Sequence, residues 1–295
     1  MRLRAIANGF LQFFLFAPAI FAATFDGASR VEIDDPSGGL TWVPAANALT
    51  VQCWFRVSVP SGKTISQDMT VLVNRKTGTE TDPHAYLIRF NVNNGNVEYV
   101  TRGTTAGYTN TLIEKPYLDR WYHVAVVRSG SDLQGYVDAR PVFSGTTSVG
   151  NTVSNNNGVS IGGWASGKYF YGDIQEVSIY RSALSPEFIT DNMTKEQPSL
   201  PELKGYYKLG YTTNTADYYR NFAASPPTNT TPGVKQGIGT VEFEEVNEGG
   251  EQSAFDSRKN GGENAIVPLS GAFNWQQNVL GRPTPGIAFD LSISY

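Results

Sequence analysis

The chain of 295 residues has one cysteine, two histidines and no excess of positive charge. Because Cys53 is alone, an internal disulfide is excluded, and we expect this residue to be small, apolar and buried; a reactive or intermolecular thiol is the alternative. The formal net charge is −4 and the lysine and arginine residues are scattered, which argues against a nucleic-acid partner. Beyond the N-terminus no segment is apolar enough to span a membrane.

The N-terminus is typical of a secretory signal. Arg2 and Arg4 precede an apolar run at 10–21, and that run is shorter than the roughly 20 residues of a membrane-spanning helix. We therefore expect cleavage after Ala22 and a mature chain that is secreted or at the cell surface; a retained membrane anchor is the alternative. An exported domain without disulfides must rely on a large core, which a chain of this length can bury.

Short runs of β-branched and aromatic residues recur from 24 to 180, with turns between them. Asn94-Gly95 lies between two alternating runs and predicts a hairpin, and residues 121–137 predict a second one. Residues 121–128 carry apolar groups on both faces, which indicates a central strand and makes His123 a packed core residue rather than a base. Many short strands at this spacing predict an all-β fold, either a sandwich or a barrel.

The composition changes after residue 180. Ser185 and Pro186 predict the start of a short helix. Residues 226–264 are rich in Pro, Thr, Asn, Gly and Glu and are interpreted as a linker. Residues 265–295 contain strand-like pieces with too little apolar mass to fold alone. The predicted organisation is a signal peptide at 1–22, a β domain at 23–225, a linker at 226–264 and a strand-like segment at 265–295.

The segment 158–162, GVSIG, matches the G-x-S-x-G pattern of a serine-hydrolase nucleophile elbow. In that fold the serine lies between a strand and a helix, and the acid and the histidine follow it in the chain. Here His84 and His123 both precede Ser160, and no helical period follows. We therefore interpret 159–162 as a β-strand and assign no catalytic residue.

Six segments in order resemble the laminin-G-like/pentraxin group of concanavalin A-like lectin domains: 24–27 (TFDG), 48–56 (ALTVQCWFR), 121–125 (WYHVA), 135–138 (GYVD), 160–163 (SIGG) and 172–186 (GDIQEVSIYRSALSP). The resemblance covers about 24–190. It implies a two-sheet antiparallel jelly-roll sandwich that binds glycans, proteins or matrix, often with calcium. A weaker resemblance at 203–222 and 281–295 is to bacterial surface proteins with RHS/YD repeats, and it implies that the last segment begins such a region.

The resemblance has a departure at the calcium loop of pentraxins. The corresponding segment here, 164–171 (WASGKYFY), holds no carboxylate and no amide side chain. Calcium prefers six to eight oxygen ligands, so the sequence predicts no metal ligand and no cofactor there. Asp26 or Asp173 could still hold a structural calcium, although nothing in their spacing demands it.

Glycoside hydrolases of this fold need two carboxylates that flank the bond. The retaining members of the resembled fold place them as Glu-x-Asp-x-x-Glu on one strand. The nearest segments here, Glu32-Ile-Asp34 and Glu80-Thr-Asp82, both lack the second glutamate.

The remaining candidates are ligand-binding residues. Trp164, Tyr169 and Tyr171 form an aromatic-rich connection, and aromatic rings stack on sugars and anchor protein interfaces. Trp164 and Tyr171 could equally fill the edge of the sandwich. Arg89 lies on the opposite face of its strand from Tyr86 and Ile88, and it should point into solvent or a groove.

We predict a non-catalytic module whose partner is a glycan or an extracellular or surface protein, not nucleic acid and, after signal cleavage, not a membrane. A glycoside hydrolase on the same fold and a purely structural module are the alternatives.

Overall fold

The computed structural model describes residues 22–35, 38–41, 48–79, 81–103, 107–147, 158–164, 167–210, 219–223, 233–237 and 241–243. The expected signal peptide, apart from Ala22, and the segment 265–295 lie outside the described residues. The described residues form two antiparallel sheets and one short helix. In this part of the chain no helix has the length and hydropathy needed to cross a bilayer.

The first sheet has eight strands. Its order is β10-β9-β8-β3-β12-β1-β15, and β13 pairs with another part of β12. The strands are β1 (Ala23–Asp26), β3 (Ala48–Val57), β8 (Trp121–Ser129), β9 (Asp132–Val137), β10 (Arg140–Thr146), β12 (Tyr171–Tyr180), β13 (Leu203–Tyr207) and β15 (Val241–Phe243). β8 lies between β3 and β9, which confirms the central strand predicted from its two apolar faces.

The second sheet has seven strands in the order β14-β2-β11-β4-β5-β6-β7. They are β2 (Ser29–Ile33), β4 (Met69–Val73), β5 (His84–Asn91), β6 (Asn96–Arg102), β7 (Gly107–Ile113), β11 (Val159–Ile161) and β14 (Val234–Gly237). The hairpin predicted at Asn94-Gly95 joins β5 to β6, and Gly95 has the positive φ of 74° that its turn requires.

The main core fills the space between the sheets. Alternate side chains of both sheets contribute to it, as the two-residue period of a strand dictates. Phe55 on β3 and Tyr122 on β8 stack there, and Cys53 is fully buried beside them. Burial raises the pKa of the Cys53 thiol, so this residue is the inert core cysteine expected from the sequence.

A second apolar cluster covers the outer face of the eight-stranded sheet. The helix α1 (Pro186–Asn192) contributes Ile189, which packs with Ala125 of β8 and Tyr180 of β12. Ser185 caps the helix by accepting a hydrogen bond from the backbone N–H of Phe188, as its sequence predicts. This cover explains why β8 is apolar on both faces.

The sandwich extends past the predicted domain end at residue 225. β14 pairs with β2, and β15 pairs with β1, so one C-terminal segment adds an edge strand to each sheet. Both strands lie within 226–264, the stretch that the sequence predicts as a linker. With four and three residues, these strands are too short to show a clear strand period in the sequence, and pairing with an existing edge supplies the strand conformation.

Candidate functional site

Five connections converge at one end of the sandwich, and we call them the loop rim: residues 26–28, 58–68, 91–96, 114–120 and 167–171. Backbone groups tie them together. Gly27 N–H donates to the carbonyl of Phe170 (2.9 Å), Ser58 N–H to Tyr171 (3.2 Å) and Asp119 N–H to Val57 (2.8 Å). Side chains add further bonds, since Val92 N–H donates to Asp68 Oδ1 (2.9 Å) and Lys115 N–H to Asn96 Oδ1 (3.2 Å). Loops held this way form a fixed surface on a rigid scaffold.

Arg89 is the centre of a charged network beside the rim. Its guanidinium contacts Glu98 Oε2 (3.0 Å) and Asp68 Oδ2 (3.1 Å), and Lys168 Nζ lies 3.5 Å from the same Asp68 oxygen. The side chain of Asn94 also donates to Glu98 (2.8 Å). Arg89 therefore points away from the core, as predicted, but into ion pairs rather than open solvent.

Glu98 is held as a carboxylate. Burial alone would raise the pKa of Glu98, but hydrogen bonds from Asn94, Asn91 and Arg89, together with the Arg89 charge, outweigh burial and lower the pKa. The network is therefore charged and fixed in geometry at neutral pH.

Tyr169 follows Lys168 in the rim segment 167–171 and contacts a different arginine, Arg30. Its hydroxyl accepts a hydrogen bond from Arg30 Nη1 (3.1 Å), and the guanidinium carbon lies 5.7 Å from the ring centroid. Arg30 also donates to Glu32 Oε1 (2.7 Å). Gly163 lets these groups meet, because a Cβ at that position would press against both the Tyr169 ring and Arg30. Tyr169 is thus a half-buried ring with a fixed polar partner.

Tyr171 and Phe170 differ in exposure. Phe170 is fully buried in the main core, where its ring and that of Phe55 meet edge to face. Tyr171 is half-buried and packs against the same core from the rim. A side chain at Gly27 would collide with its ring. Tyr171 therefore offers a ligand only part of its surface.

Trp164 does not reach the surface. Its side chain is 1% exposed and lies across Val73, Leu87 and Val100, which are register neighbours on β4, β5 and β6. The edge of its ring meets His84, with centroids 5.9 Å apart. We therefore remove Trp164 from the candidate site: a ring with no free face cannot stack on a ligand. Its sequence position beside a glycine turn gave no sign of this apolar strip.

Tyr117 was missed by sequence reasoning. It belongs to the loop 114–120 between β7 and β8, and its side chain is 73% exposed. Leu118 beside it is 53% exposed. The available signal was the apolar run Pro-Tyr-Leu between charged residues in a turn. Sequence alone, however, does not distinguish an aromatic ring that folds onto the core from one that stays exposed.

The serine and histidine of the elbow pattern have no catalytic arrangement. Ser160 is fully buried within β11 and pairs with Glu32 and Val73, which confirms the strand interpretation. The His123 ring packs at a tilt of 53° against Trp54, with centroids 5.3 Å apart, and burial lowers the pKa of His123 to about 3. It is the core residue that the sequence predicts.

Several carboxylates among the described residues accept hydrogen bonds from other groups of the protein. Asp173 accepts from Arg56 (2.7 Å) and from the Thr24 hydroxyl (2.5 Å), and Asp26 accepts from the Ala28 N–H (3.0 Å). Among the described residues no group of three or more His, Cys, Asp or Glu side chains could hold a metal ion.

A shallow cleft lies elsewhere, on β8, β9 and β10. Its volume is about 410 Å³, and hydroxyl and amide groups of Ser129, Gln134, Ser144 and Thr146 line it. No aromatic ring is among its lining residues. The cleft therefore lacks the stacking surface that the loop rim provides.

The stacked sheets, the jelly-roll strand order and a rim of fixed loops define a concanavalin A-like β-sandwich. The sequence profile of the Concanavalin A-like lectin/glucanases superfamily, laminin-G-like group, matches residues 25–190, and the chain belongs to this family. A search of curated proteins finds no match to this chain.

Solved structures share the fold. A candidate carbohydrate-binding protein from Bacteroides ovatus ATCC 8483 has 18% identity and a TM-score of 0.54, and the match covers 78% of this chain and 61% of that one. Domain 4 of AbnA, an extracellular arabinanase from Geobacillus stearothermophilus solved with arabinotriose, has 23% identity, 58% and 75% coverage and a TM-score of 0.47. A pentraxin from Limulus polyphemus has 14% identity, 58% and 80% coverage and a TM-score of 0.42. At these identities the likeness concerns the fold.

Proposed function

We propose that this chain is a non-catalytic carbohydrate-binding module of a secreted or cell-surface protein. The observation that carries the proposal is the half-buried Tyr169 ring on the loop rim, which stands beside Arg30 and Glu32, charged planar groups already locked in hydrogen bonds. A sugar ring offers an apolar C–H face and a border of hydroxyl groups. An aromatic side chain can cover the first, while carboxylates and guanidinium groups can bind the second.

The charged network supports binding because its geometry exists before a ligand arrives. Arg89, Asp68 and Glu98 are mostly buried, with side-chain exposures of 15%, 11% and 6%. Side chains that are already ordered lose little rotamer entropy when they bind. Tyr169 with Arg30 and Glu32 forms a second set of the same kind, with a ring at its centre.

The same ion pairs argue against hydrolysis. A glycosidase needs one carboxyl group with a raised pKa as the acid, and a second carboxylate across an open gap. In the network Glu98 has a lowered pKa, and its oxygens are taken by Arg89 and two asparagines. Glu32 is bound by Arg30. Groups in this state suit recognition rather than proton donation.

The test is a glycan array probed with the mature full-length chain, with and without calcium. We expect binding to at least one glycan, and Tyr169→Ala should weaken it about tenfold, which corresponds to roughly 1.4 kcal/mol. Phe188→Ala is the matched control, because this half-buried ring lies on α1, outside the rim. An array without signal would contradict the proposal. Release of reducing sugar from a β-glucan by the wild type, lost in Glu32→Gln, would favour the hydrolase instead.

A further inference from the structure

Tyr117 is the most exposed large apolar side chain in the described part of the chain. Its exposure of 73% compares with 54% for Val234, 53% for Leu118 and 44% for Val142. No other aromatic ring of the described residues is among the exposed large apolar side chains. Isolated apolar residues on a surface need no explanation. Here, however, two of the four are consecutive and stand on the loop rim.

The loop that carries Tyr117 is held firmly. The Tyr117 N–H donates to the Tyr122 hydroxyl (2.9 Å), and the Asp119 N–H donates to the Val57 carbonyl (2.8 Å). The Lys115 N–H donates to the side chain of Asn96 (3.2 Å). These bonds fix the backbone on both sides of the ring, so Tyr117 is presented outward instead of folding onto the nearby core.

The same loop keeps an unfavourable backbone. Lys115 and Asp119 have φ of 43° and 60°, the left-handed region that side-chain-bearing residues avoid. Such strain persists only where the surroundings impose it, and it is frequent at functional positions. In this loop the two strained residues bracket the exposed pair directly.

We propose that Tyr117, with Leu118 beside it, is the platform on which a neutral sugar ring stacks; this assignment rests on the proposed function and names a residue for it. The exposed surface consists of two side chains, far less than the roughly 800 Å² that each partner buries in a stable protein interface. One pyranose or furanose ring matches a single tyrosine in size. Exposed Lys115 and Asp119 carry opposite charges on the two sides, so the platform has no preference for a charged glycan.

The experiment compares four mature full-length chains: the wild type, Tyr117→Ala, Tyr117→Phe and Val142→Ala. Each is applied to an array of neutral and acidic oligosaccharides, and the strongest neutral oligosaccharide is then titrated by calorimetry. Val142 is the matched control, since it is an exposed apolar residue on β10, outside the rim. Thermal unfolding of each variant verifies that the exposed substitutions leave the fold intact, and sedimentation velocity reports self-association.

We expect Tyr117→Ala to weaken binding of the neutral oligosaccharide at least tenfold, while Tyr117→Phe and Val142→Ala stay within about twofold of the wild type, because stacking needs the ring and not the hydroxyl. Equal binding by Tyr117→Ala and the wild type would overturn this assignment and leave the proposed function standing. Binding to acidic glycans alone, or self-association lost in Tyr117→Ala, would also overturn it. A wild type that binds no glycan would remove both proposals.

Discussion

Replacing Arg89 with methionine tests whether the charged network stabilises the sandwich. Methionine keeps most of the aliphatic stem and removes the guanidinium. The substitution leaves Glu98, 6% exposed, and Asp68, 11% exposed, without their shared cation. Donors that remain include Asn91 and Asn94 for Glu98, and Lys168 and the Val92 N–H for Asp68.

We expect the free energy of unfolding at neutral pH to fall by about 3 kcal/mol. Loss of one partner of a buried ion pair costs about 3–5 kcal/mol, whereas an exposed pair is worth at most about 1 kcal/mol. The amide donors that remain on Glu98 place the expected value at the lower end of the first range. With a urea dependence of about 3 kcal/mol per molar, the unfolding midpoint should move by roughly 1 M.

The loss of stability in Arg89→Met should depend on pH. The pKa of Glu98 is lower in the folded chain than its ordinary value of 4.5, so Glu98 stabilises the fold above that pH. This contribution is lost as the pH falls through the folded pKa. Once Glu98 is protonated, it carries no charge for a cation to balance. The difference in free energy of unfolding between Arg89→Met and the wild type should therefore narrow below about pH 4.

Urea titrations followed by tryptophan fluorescence at several pH values between 7 and 3.5 measure this gap. The matched control is Arg102→Met, because Arg102 lies on the adjacent strand and donates to the carbonyl of Thr81 rather than to a carboxylate. That variant should lose less than about 1 kcal/mol. A loss below 0.5 kcal/mol for Arg89→Met, on the scale of ordinary surface substitutions, or a gap that stays constant with pH, would refute the reasoning.

Three further predictions concern single side chains. The His123 imidazole should stay neutral in NMR titrations from pH 8 to about 4.5, because burial lowers its pKa to about 3. Below the ordinary pKa of 6.5, the neutral His123 should lower the free energy of unfolding by up to about 1.4 kcal/mol per pH unit. An imidazole that titrates near 6.5 would contradict its burial. Ser160→Ala should leave the free energy of unfolding unchanged or raise it by up to about 1 kcal/mol in chemical denaturation, since the buried Oγ has no hydrogen-bond partner among the described residues. A clear loss of stability would mean that this hydroxyl has a partner. Lys115→Gly should raise the melting temperature, with a gain of about 0.5–1 kcal/mol from removal of a side chain at φ 43°; Lys63→Gly in another exposed loop of the rim is the control, and a lower melting temperature for Lys115→Gly alone would show that its side chain offsets the strain.

The fold was predictable because its signals are local. Alternation with period two, the Asn94-Gly95 turn and the doubly apolar run around His123 each report on a strand or turn within a few residues. The same local pattern separated Ser160 from a true nucleophile elbow. The resemblance added the arrangement of the strands in two antiparallel sheets, which no single segment contains.

The candidate site was less predictable because it depends on distant contacts. Arg89, Asp68 and Lys168 come from three separate parts of the chain, and their pairing follows from sheet order. Trp164 and Tyr169 belong to one short loop, yet one packs on an apolar strip and the other meets Arg30. β14 and β15 become strands through partners on β2 and β1, and segments of four and three residues are too short to predict a strand by themselves.

The pairing of β15 with β1 has a mechanical consequence. Ala23 lies opposite Phe243, and Phe25 opposite Val241, so the first residue of β1 and the last residue of β15 lie side by side. A force applied at Ala23 and Phe243 would load the hydrogen bonds between β1 and β15 one after another rather than all at once. If the module is tethered through the flanking chain, β15 should detach at low force while the rest of the sandwich stays folded.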